Sequence, residues 1–264
     1  MKTIVVCAAS SVVAFAFAGC QAKETGGASA AETAATENAA GSTVTSETVT
    51  FATSDGWEIY ATRWNAGEGN PAAVLLHMLP ADRRSYDDFG SKLAAAGFNV
   101  LALDSRGHGD SLKHNGKVER YTGFGDDEHG SSVRDVAAAK TFLAEKGADA
   151  SRMVIVGASI GANFALNYAA SDADVRAVVL LSPGLNYRGV TTVEAMSAYG
   201  GRPAYLVASD EDSYAADTVG KLHEIAGGSE LALFKDAGHG TNIFQAEPSL
   251  ADTLVTWLAA QAAK

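Results

Sequence analysis

The stretch MVIVGASIG, residues 153–161, joins a buried strand to a helix through a turn that carries a serine. Its first residues are wholly apolar, which is typical of a strand buried on both faces of a parallel sheet. The turn reads GASIG, and a helical segment, 162–170, follows it. A serine at such a sharp turn needs glycine on either side so that the chain can close, and its hydroxyl then projects from the sheet. Ser159 is therefore the candidate nucleophile.

Strand and helix patterns alternate on both sides of this stretch. Strands separated by helices predict a mostly parallel sheet with helices on both faces, and eight strands are predicted. The predicted strands are 48–53, 57–64, 72–77, 99–104, 152–158, 175–181, 204–209 and 231–234. The predicted helices are 86–96, 133–146, 162–170, 214–226 and 249–263. The segment from Pro183 to Pro203 leaves room for one short helix and is too short for a large cap domain.

Composition excludes several classes of protein. The 264 residues include 31 Asp and Glu against 20 Lys and Arg, a net charge of -11, so a nucleic-acid surface is not expected. The two cysteines, Cys7 and Cys20, both precede residue 21, so the rest of the chain can form neither a disulfide nor a thiolate metal site. The acidic residues before His129 are expected to begin a helix rather than to bind a metal. We predict no metal and no cofactor.

The N-terminus has the pattern of an export signal. The chain has a basic start followed by an apolar run at residues 4–18, and this run is too short to span a bilayer. The run ends in Phe17-Ala18-Gly19-Cys20. This sequence resembles the lipobox of bacterial lipoproteins, which implies a signal peptide at 1–19, a lipid on Cys20 and an outer-membrane location, since Gln21 follows the cysteine. The alternative is a plain signal peptide cut near Gly19. Residues 20–47 are predicted to form the lipidated cysteine and a flexible tether, and 48–264 a single domain.

A serine nucleophile needs a base and an acid. His239 lies in DAGHG after the last predicted strand, where a loop can carry an imidazole to the carboxyl end of the sheet. The acid is expected after strand 204–209, at Asp212 or Asp210. His77, which ends another strand, is expected to order the neighbouring loop.

These motifs together resemble those of α/β-hydrolases, and the resemblance extends from about Thr48 to Ala263. It rests on GASIG, on Gly238-His239-Gly240, on LHML at 76–79 and on LDSRGHGDS at 103–111. It implies the α/β-hydrolase fold, an oxyanion hole made by the backbone N–H groups of Ile160 and Leu79, and Asp212 as the acid, with Asp210 as the alternative. Met78 stands where the family usually has glycine.

The resemblance implies a serine hydrolase of small esters, thioesters or lactones that acts through a Ser-His-Asp acyl-enzyme. Dienelactone hydrolases are similar but use cysteine as the nucleophile. A peptidase or amidase of the same fold is the alternative enzyme, and a non-catalytic envelope lipoprotein is the alternative outside enzymes. A shallow substrate pocket is predicted from Met78, Tyr187, Met196 and Tyr199, with core packing as the alternative for Tyr187, Met196 and Tyr199. The predicted partners are a small-molecule substrate and, through Cys20, a membrane; the oligomeric state is left open.

Overall fold

The computed structural model describes residues 35–37 and 43–264. The predicted signal peptide, the predicted lipidation site at Cys20 and most of the predicted tether lie outside these residues. No helix in the described part of the chain is both long enough and apolar enough to cross a bilayer.

Thirteen strands occur in the described residues, of which several consist of only two or three residues. In chain order they are Ala35–Glu37 (β1), Thr43–Ala52 (β2), Trp57–Trp64 (β3), Pro71–Leu76 (β4), Asn99–Leu103 (β5), Lys113–His114 (β6), Lys117–Val118 (β7), Asp149–Ala158 (β8), Val175–Leu181 (β9), Asn186–Tyr187 (β10), Val190–Thr191 (β11), Ala204–Ser209 (β12) and Glu230–Phe234 (β13).

Eight α-helices connect or flank the strands of the described chain. In chain order they are Asp87–Ala95 (α1), Asp126–Gly130 (α2), Val133–Glu145 (α3), Ile160–Ser171 (α4), Val193–Tyr199 (α5), Ser213–Ala226 (α6), Ile243–Ala246 (α7) and Pro248–Ala262 (α8). Short 3-10 turns at Arg83–Tyr86, Tyr121–Gly123 and Gly240–Asn242 complete the helical elements.

The main sheet has the strand order β1-β2-β3-β5-β4-β8-β9-β12-β13, with the short pair β6 and β7 attached beside β3. Strands β5, β4, β8, β9, β12 and β13 run parallel, whereas β1, β2 and β3 pair antiparallel at one edge. This order directs the carboxyl ends of the central parallel strands toward one edge, where ligands bind in open α/β sheets.

The two faces of the sheet bury two separate hydrophobic clusters. Along β4, Val74 and Leu76 pack into the cluster that contains residues of α3, α4, α5 and α6. Leu75, between them, packs into the cluster that contains residues of α1 and α8. Because side chains alternate along a strand, a continuous apolar run such as AAVLL fills both layers.

The structure confirms the predicted α/β-hydrolase fold, with small differences at its edge. All eight predicted strands are present, and β1 extends the principal path of the sheet to nine. Strand β2 begins at Thr43, so ordered structure starts before the predicted boundary at residue 48. Residues 46–52 pair with 58–64, and this pairing places polar residues of the predicted tether in the sheet. Between Pro183 and Pro203 lie the β10–β11 hairpin and α5, without a large cap.

Candidate active site

Ser159 sits on a strained turn between β8 and α4. Its backbone has φ +55° and ψ −124°, a conformation that non-glycine residues rarely adopt and that costs about 1–3 kcal/mol. Both neighbouring glycines are required by close backbone contacts. A Cβ on Gly157 would lie 2.2 Å from the carbonyl oxygen of Gly161, and one on Gly161 would lie 2.4 Å from that of Leu76. The two glycines of GASIG therefore allow this turn to pack closely against β4.

His239 and Asp212 form a hydrogen-bonded pair at the carboxyl end of the sheet. The Nδ1 atom of His239 lies 2.5 Å from Oδ2 of Asp212. A carboxylate can only accept, so Nδ1 carries the proton and Nε2 is free to act as a base. Asp210 has a different partner, since its Oδ1 accepts from the Asp236 N–H at 3.0 Å. Of the two candidate acids, the geometry selects Asp212.

The loop that carries His239 is held by side chains from two neighbouring strand ends. Three residues that end or follow β12 accept its backbone N–H groups: Asp210 from Asp236, Ser209 from Ala237 at 2.8 Å and Glu211 from Gly238 at 2.6 Å. The Ser182 hydroxyl, after β9, accepts from Gly240 at 2.9 Å. Sequence reasoning did not identify these contacts, although Ser209 to Glu211 adjoin the predicted acid. They fix the histidine loop relative to Asp212.

The loops of the base, the nucleophile and the predicted oxyanion hole meet at Gly240. A Cβ on Gly240 would lie 2.6 Å from Sδ of Met78 and 3.4 Å from Cβ of Ala158. Gly240 follows His239 and Ala158 precedes Ser159, so the loops of the predicted base and the predicted nucleophile are adjacent. Met78, which stands where the resemblance implies glycine, occupies the space that Gly240 leaves open.

Ile160 and Leu79 are the predicted donors of the oxyanion hole. Ile160 is the first residue of α4, so its N–H has no partner within the helix. The Met78 carbonyl accepts from His77 Nδ1 at 3.0 Å and from the Ala81 N–H at 2.8 Å. Within a trans peptide the N–H points away from the carbonyl, so these bonds fix the direction of the Leu79 N–H.

His77 orders this loop, as expected from its position at the end of β4. The Ser105 N–H donates to its Nε2 at 3.1 Å, which requires the ring proton to be on Nδ1. Burial lowers the pKa of His77, and the neutral ring is the form that accepts at one nitrogen while donating at the other. His77 thus connects the turn after β5 to the Met78–Leu79 peptide.

Tyr187 lies beside both Ser159 and His239. Its ring is 6.5 Å from the His239 ring, centroid to centroid, in an edge-to-face arrangement. Burial and the charge of Asp212 raise the pKa of Tyr187 to about 12, and the neighbouring Ser159 side chain opposes part of this rise. A Cβ on Gly184 would lie 2.6 Å from the tyrosine ring. Of the predicted pocket residues, Tyr187 and Met78 lie at the site.

The other two predicted pocket residues, Met196 and Tyr199, belong to the core. They are 2% and 1% exposed, and the Tyr199 hydroxyl donates to the carbonyl of Pro203 at 2.9 Å. Both lie on the face of α5 that packs into the cluster on the α4 side of the sheet. The prediction that they line a substrate pocket is therefore wrong, because the apolar face of α5 turns toward the core.

A buried ion-pair network supports the loops beside the site. Arg106, within the RGHG sequence, bonds Asp135 of α3 at 2.8 Å, Asp55 at 2.9 Å and Glu128 at 3.0 Å. Burial alone would lower the pKa of Arg106, but Asp135 and Asp55 outweigh it and raise that pKa. The sequence pattern indicated the turn around Arg106 but not these partners, which are distant along the chain. Among the described residues, no group of three or more His, Cys, Asp or Glu is arranged to hold a metal ion.

A mostly parallel sheet, a serine on a strand-to-helix elbow and a histidine–carboxylate pair at the same edge define an α/β-hydrolase. The family described as serine aminopeptidase, S33, matches residues 70–207. The chain belongs to this family of α/β-hydrolases, and it is a hydrolase. None of the curated proteins matches the sequence significantly.

Solved structures of hydrolases share the fold at low sequence identity. An esterase from Pyrococcus furiosus superposes with a TM-score of 0.67 at 18% identity, over 82% of this chain and 93% of that one. A dienelactone hydrolase from Anabaena variabilis gives 0.62 at 17% identity, over 83% of this chain and 96% of that one. An α/β-hydrolase from a Penicillium species gives 0.66 at 14% identity, over 83% and 99%. At these identities the similarity establishes the fold alone.

Proposed function

We propose that this protein is a serine hydrolase that cleaves small carboxylic esters, thioesters or lactones through Ser159, His239 and Asp212. The observation that carries the proposal is twofold: His239 is hydrogen-bonded to Asp212, and a Cβ on Gly240, the residue after His239, would lie 3.4 Å from Cβ of Ala158, the residue before Ser159. A binding protein would have no need of a strained serine between two obligatory glycines together with an oriented imidazole. The esterase and the dienelactone hydrolase that share the fold favour ester bonds as the substrate class.

The mechanism transfers an acyl group from the substrate to water. His239 Nε2 accepts the Ser159 hydroxyl proton while Oγ attacks the carbonyl carbon, and the N–H groups of Ile160 and Leu79 stabilise the resulting oxyanion. The intermediate collapses, and the leaving alcohol or thiol takes the proton from His239. Water then attacks the acyl-enzyme with His239 again as the base, which releases the carboxylic acid and restores Ser159. Asp212 holds the ring in the required tautomer.

An aminopeptidase or amidase is the second candidate, because the matching family carries that description. Its chemistry would use the same three residues, and the difference lies in what recognises a substrate amine. The exposed carboxylates of Asp210 and Glu211 stand on the loop next to Asp212, but both accept backbone N–H groups of the histidine loop. Their engagement favours the ester proposal.

Two measurements test the proposal. A fluorophosphonate probe should label the wild type at Ser159 and should not label Ser159→Ala; labelling of both would refute the assignment of the nucleophile. The relative kcat/KM of p-nitrophenyl acetate or butyrate and of aminoacyl p-nitroanilides should favour the esters. A preference for the anilides would instead establish the aminopeptidase, and probe labelling without turnover of either class would support a binding role.

We also propose that Cys20 is lipidated and attaches the domain to the outer membrane. The support is the lipobox-like sequence Phe17-Ala18-Gly19-Cys20 and the polar, aromatic-free composition of the residues that follow it. A mass spectrum of the processed N-terminal peptide tests this, since it should show Cys20 as the first residue with its added acyl groups.

A further inference from the structure

The order of the strands places the hairpin of Tyr187 on the same side of Ser159 as His239. Strand β8, which leads to Ser159, lies between β4 and β9. Strand β4 leads to the predicted oxyanion donor Leu79, whereas β9 leads to the β10–β11 hairpin that carries Tyr187. His239 follows β13, which lies beyond β9 in the sheet. Leu79 and Tyr187 therefore approach the nucleophile from opposite sides.

Buried hydrogen bonds fix the base of this hairpin to the helix that follows the nucleophile. Asn163 lies one turn beyond Ser159 in α4, and its side chain is fully buried. Its Nδ2 donates to the carbonyls of Gly184 at 2.9 Å and Val190 at 2.7 Å, and its Oδ1 accepts from the Gly184 N–H at 3.1 Å. The Thr192 hydroxyl donates to the same Gly184 carbonyl at 2.9 Å. The hairpin is thus held in a fixed position relative to the nucleophile.

The tip of the hairpin is equally well defined. It turns through Arg188 and Gly189, whose φ values of +52° and +78° are the two positive values that a tight type I′ turn requires. On α6, the Tyr214 hydroxyl accepts from the Asn186 N–H at 2.9 Å and donates to the Asn186 carbonyl at 3.2 Å. The backbone is therefore fixed on both sides of Tyr187.

The side chain of Tyr187 is held against the catalytic residues. Its ring lies 5.6 Å from the Tyr214 ring and 6.5 Å from the His239 ring, centroid to centroid, in edge-to-face arrangements. The Ser159 side chain is close enough to affect the pKa of the phenol, which is raised to about 12. At neutral pH the hydroxyl therefore keeps its proton and can donate it in a hydrogen bond.

We propose that Tyr187 is a further catalytic residue, whose hydroxyl donates a hydrogen bond to the leaving-group oxygen of the substrate. The inference rests on the proposed ester hydrolysis. In that reaction the leaving oxygen takes a proton from Nε2 of His239, so this oxygen lies on the histidine side of Ser159, which is also the side of Tyr187.

The hydrogen bond would act while the tetrahedral intermediate collapses. The bond between the carbonyl carbon and the leaving oxygen breaks, its electron pair stays on that oxygen, and the proton on His239 Nε2 moves to it. Tyr187 keeps its own proton and stabilises the negative charge that develops on the oxygen before the transfer is complete. An alkoxide concentrates this charge on oxygen, whereas p-nitrophenolate spreads it over the ring. Tyr187 therefore favours the hydrolysis of alkyl esters and lactones.

The test compares the full-length wild type with Tyr187→Phe on three esters of one acid: p-nitrophenyl, phenyl and ethyl butyrate. The measured quantity is kcat/KM, which reports acylation, the step in which the leaving group departs. The variant should lose about 10–100-fold on ethyl butyrate, and its loss on p-nitrophenyl butyrate should be about tenfold smaller, with phenyl butyrate between them. Equal losses on all three esters would overturn the proposal, because a purely structural effect does not depend on the leaving group. A larger loss on the p-nitrophenyl ester would also overturn it.

Tyr205→Phe is the matched control. Tyr205 lies on β12, and its ring packs edge-to-face at 5.3 Å against Trp257 of α8, in the cluster on the opposite face of the sheet from α4. Its loss of a hydroxyl should change none of the three kcat/KM values. A dependence on the leaving group as large as that of Tyr187→Phe would refute the assignment to Tyr187.

Ser159→Ala distinguishes a failure of this inference from a failure of the proposed function. A wild type that hydrolyses none of the three esters, or a Ser159→Ala variant as active as the wild type, would overturn the proposed function and this inference with it. An active wild type and an inactive Ser159→Ala, together with equal losses in Tyr187→Phe, would refute the role of Tyr187 alone.

Discussion

Three consecutive carboxylates, Asp210, Glu211 and Asp212, have three different partners, and replacing each by its amide should separate their roles. Asp212→Asn removes the acceptor for the His239 Nδ1 proton, which lies 2.5 Å away. An amide that donates to Nδ1 stabilises the wrong tautomer, and such a change lowers kcat by about 10³–10⁴-fold. This corresponds to roughly 4–5.5 kcal/mol of transition-state stabilisation. KM should change little, because Asp212 does not touch the substrate.

Asp210 and Glu211 accept backbone N–H groups, and an amide carbonyl can do the same. Asp210→Asn and Glu211→Gln should therefore retain kcat within about threefold. Glu211→Ala removes the 2.6 Å bond to Gly238 altogether. A hydrogen bond to a charged group contributes about 1.5–3 kcal/mol, and solvent exposure here reduces that to about 1, which is roughly a fivefold loss of kcat if the histidine loop shifts. The contrast between Glu211→Gln and Glu211→Ala isolates the hydrogen bond from the charge.

The assay is steady-state hydrolysis of p-nitrophenyl acetate, with circular dichroism and Tm as controls for folding. The reasoning predicts the order of damage Asp212→Asn, then Glu211→Ala, then Asp210→Asn and Glu211→Gln together near the wild type. A loss in Asp210→Asn equal to or greater than that in Asp212→Asn would refute the assignment of the acid. Equal losses in Glu211→Gln and Glu211→Ala would show that the charge, and not the hydrogen bond to the loop, is what matters.

Four further outcomes follow from the same structure. Ser159→Ala and His239→Ala should each abolish ester hydrolysis, and the double variant should be little worse in kcat than either, since such residues act as a unit. Cys20→Ser should move the protein from the membrane fraction to the soluble fraction or leave its signal peptide uncut. Burial lowers the pKa of His108 to about 4, so as the pH falls the unfolded chain binds a proton at this histidine before the folded chain does. His108 should therefore lower the free energy of unfolding by about 3 kcal/mol as the pH drops from 6.5 to 4. His108→Phe should reduce the slope of the Tm-versus-pH curve in this range but not abolish it, because burial also lowers the pKa of His77. The described chain has no large cap that could enclose a long acyl chain, so kcat/KM on p-nitrophenyl esters should peak at about two to six acyl carbons. Each further CH₂ group would stay exposed and would not gain the ~0.8 kcal/mol that burial provides. A continuous rise past about ten carbons would contradict this.

The parallel part of the sheet could be predicted because its strands are short apolar runs, and such runs are typical of strands that are buried on both faces. Strand β2 shows the limit of this reasoning. Its first residues, Thr43 to Glu47, are polar apart from Val44 and follow a low-complexity segment, so no apolar run marks them as a strand. They form a strand because 43–45 pair with β1 and 46–52 pair with 58–64, interactions that composition does not reveal.

The difference between local sequence pattern and tertiary packing also explains which site residues the sequence predicted correctly and which it did not. Ser159 and His239 lie in turns whose glycines impose a particular backbone path, so their positions follow from local sequence. Met196 and Tyr199 lie on the apolar face of α5, and an apolar face fits a pocket wall and a core equally well. Only the packing of α5 against α4 decides between the two.

Met78 and Gly240 show how a departure from the family pattern is accommodated. The resemblance implies glycine at position 78, where the oxyanion loop passes the nucleophile, and a methionine there needs space. That space comes from the histidine loop, because Gly240 lacks the Cβ that would lie 2.6 Å from the methionine sulfur. Gly240 also has φ +60°, a conformation that favours glycine. Gly240 therefore both leaves room for the Met78 side chain and adopts the backbone conformation that the histidine loop needs. Because positions 78 and 240 are distant in sequence, their dependence on each other is visible only in the folded chain.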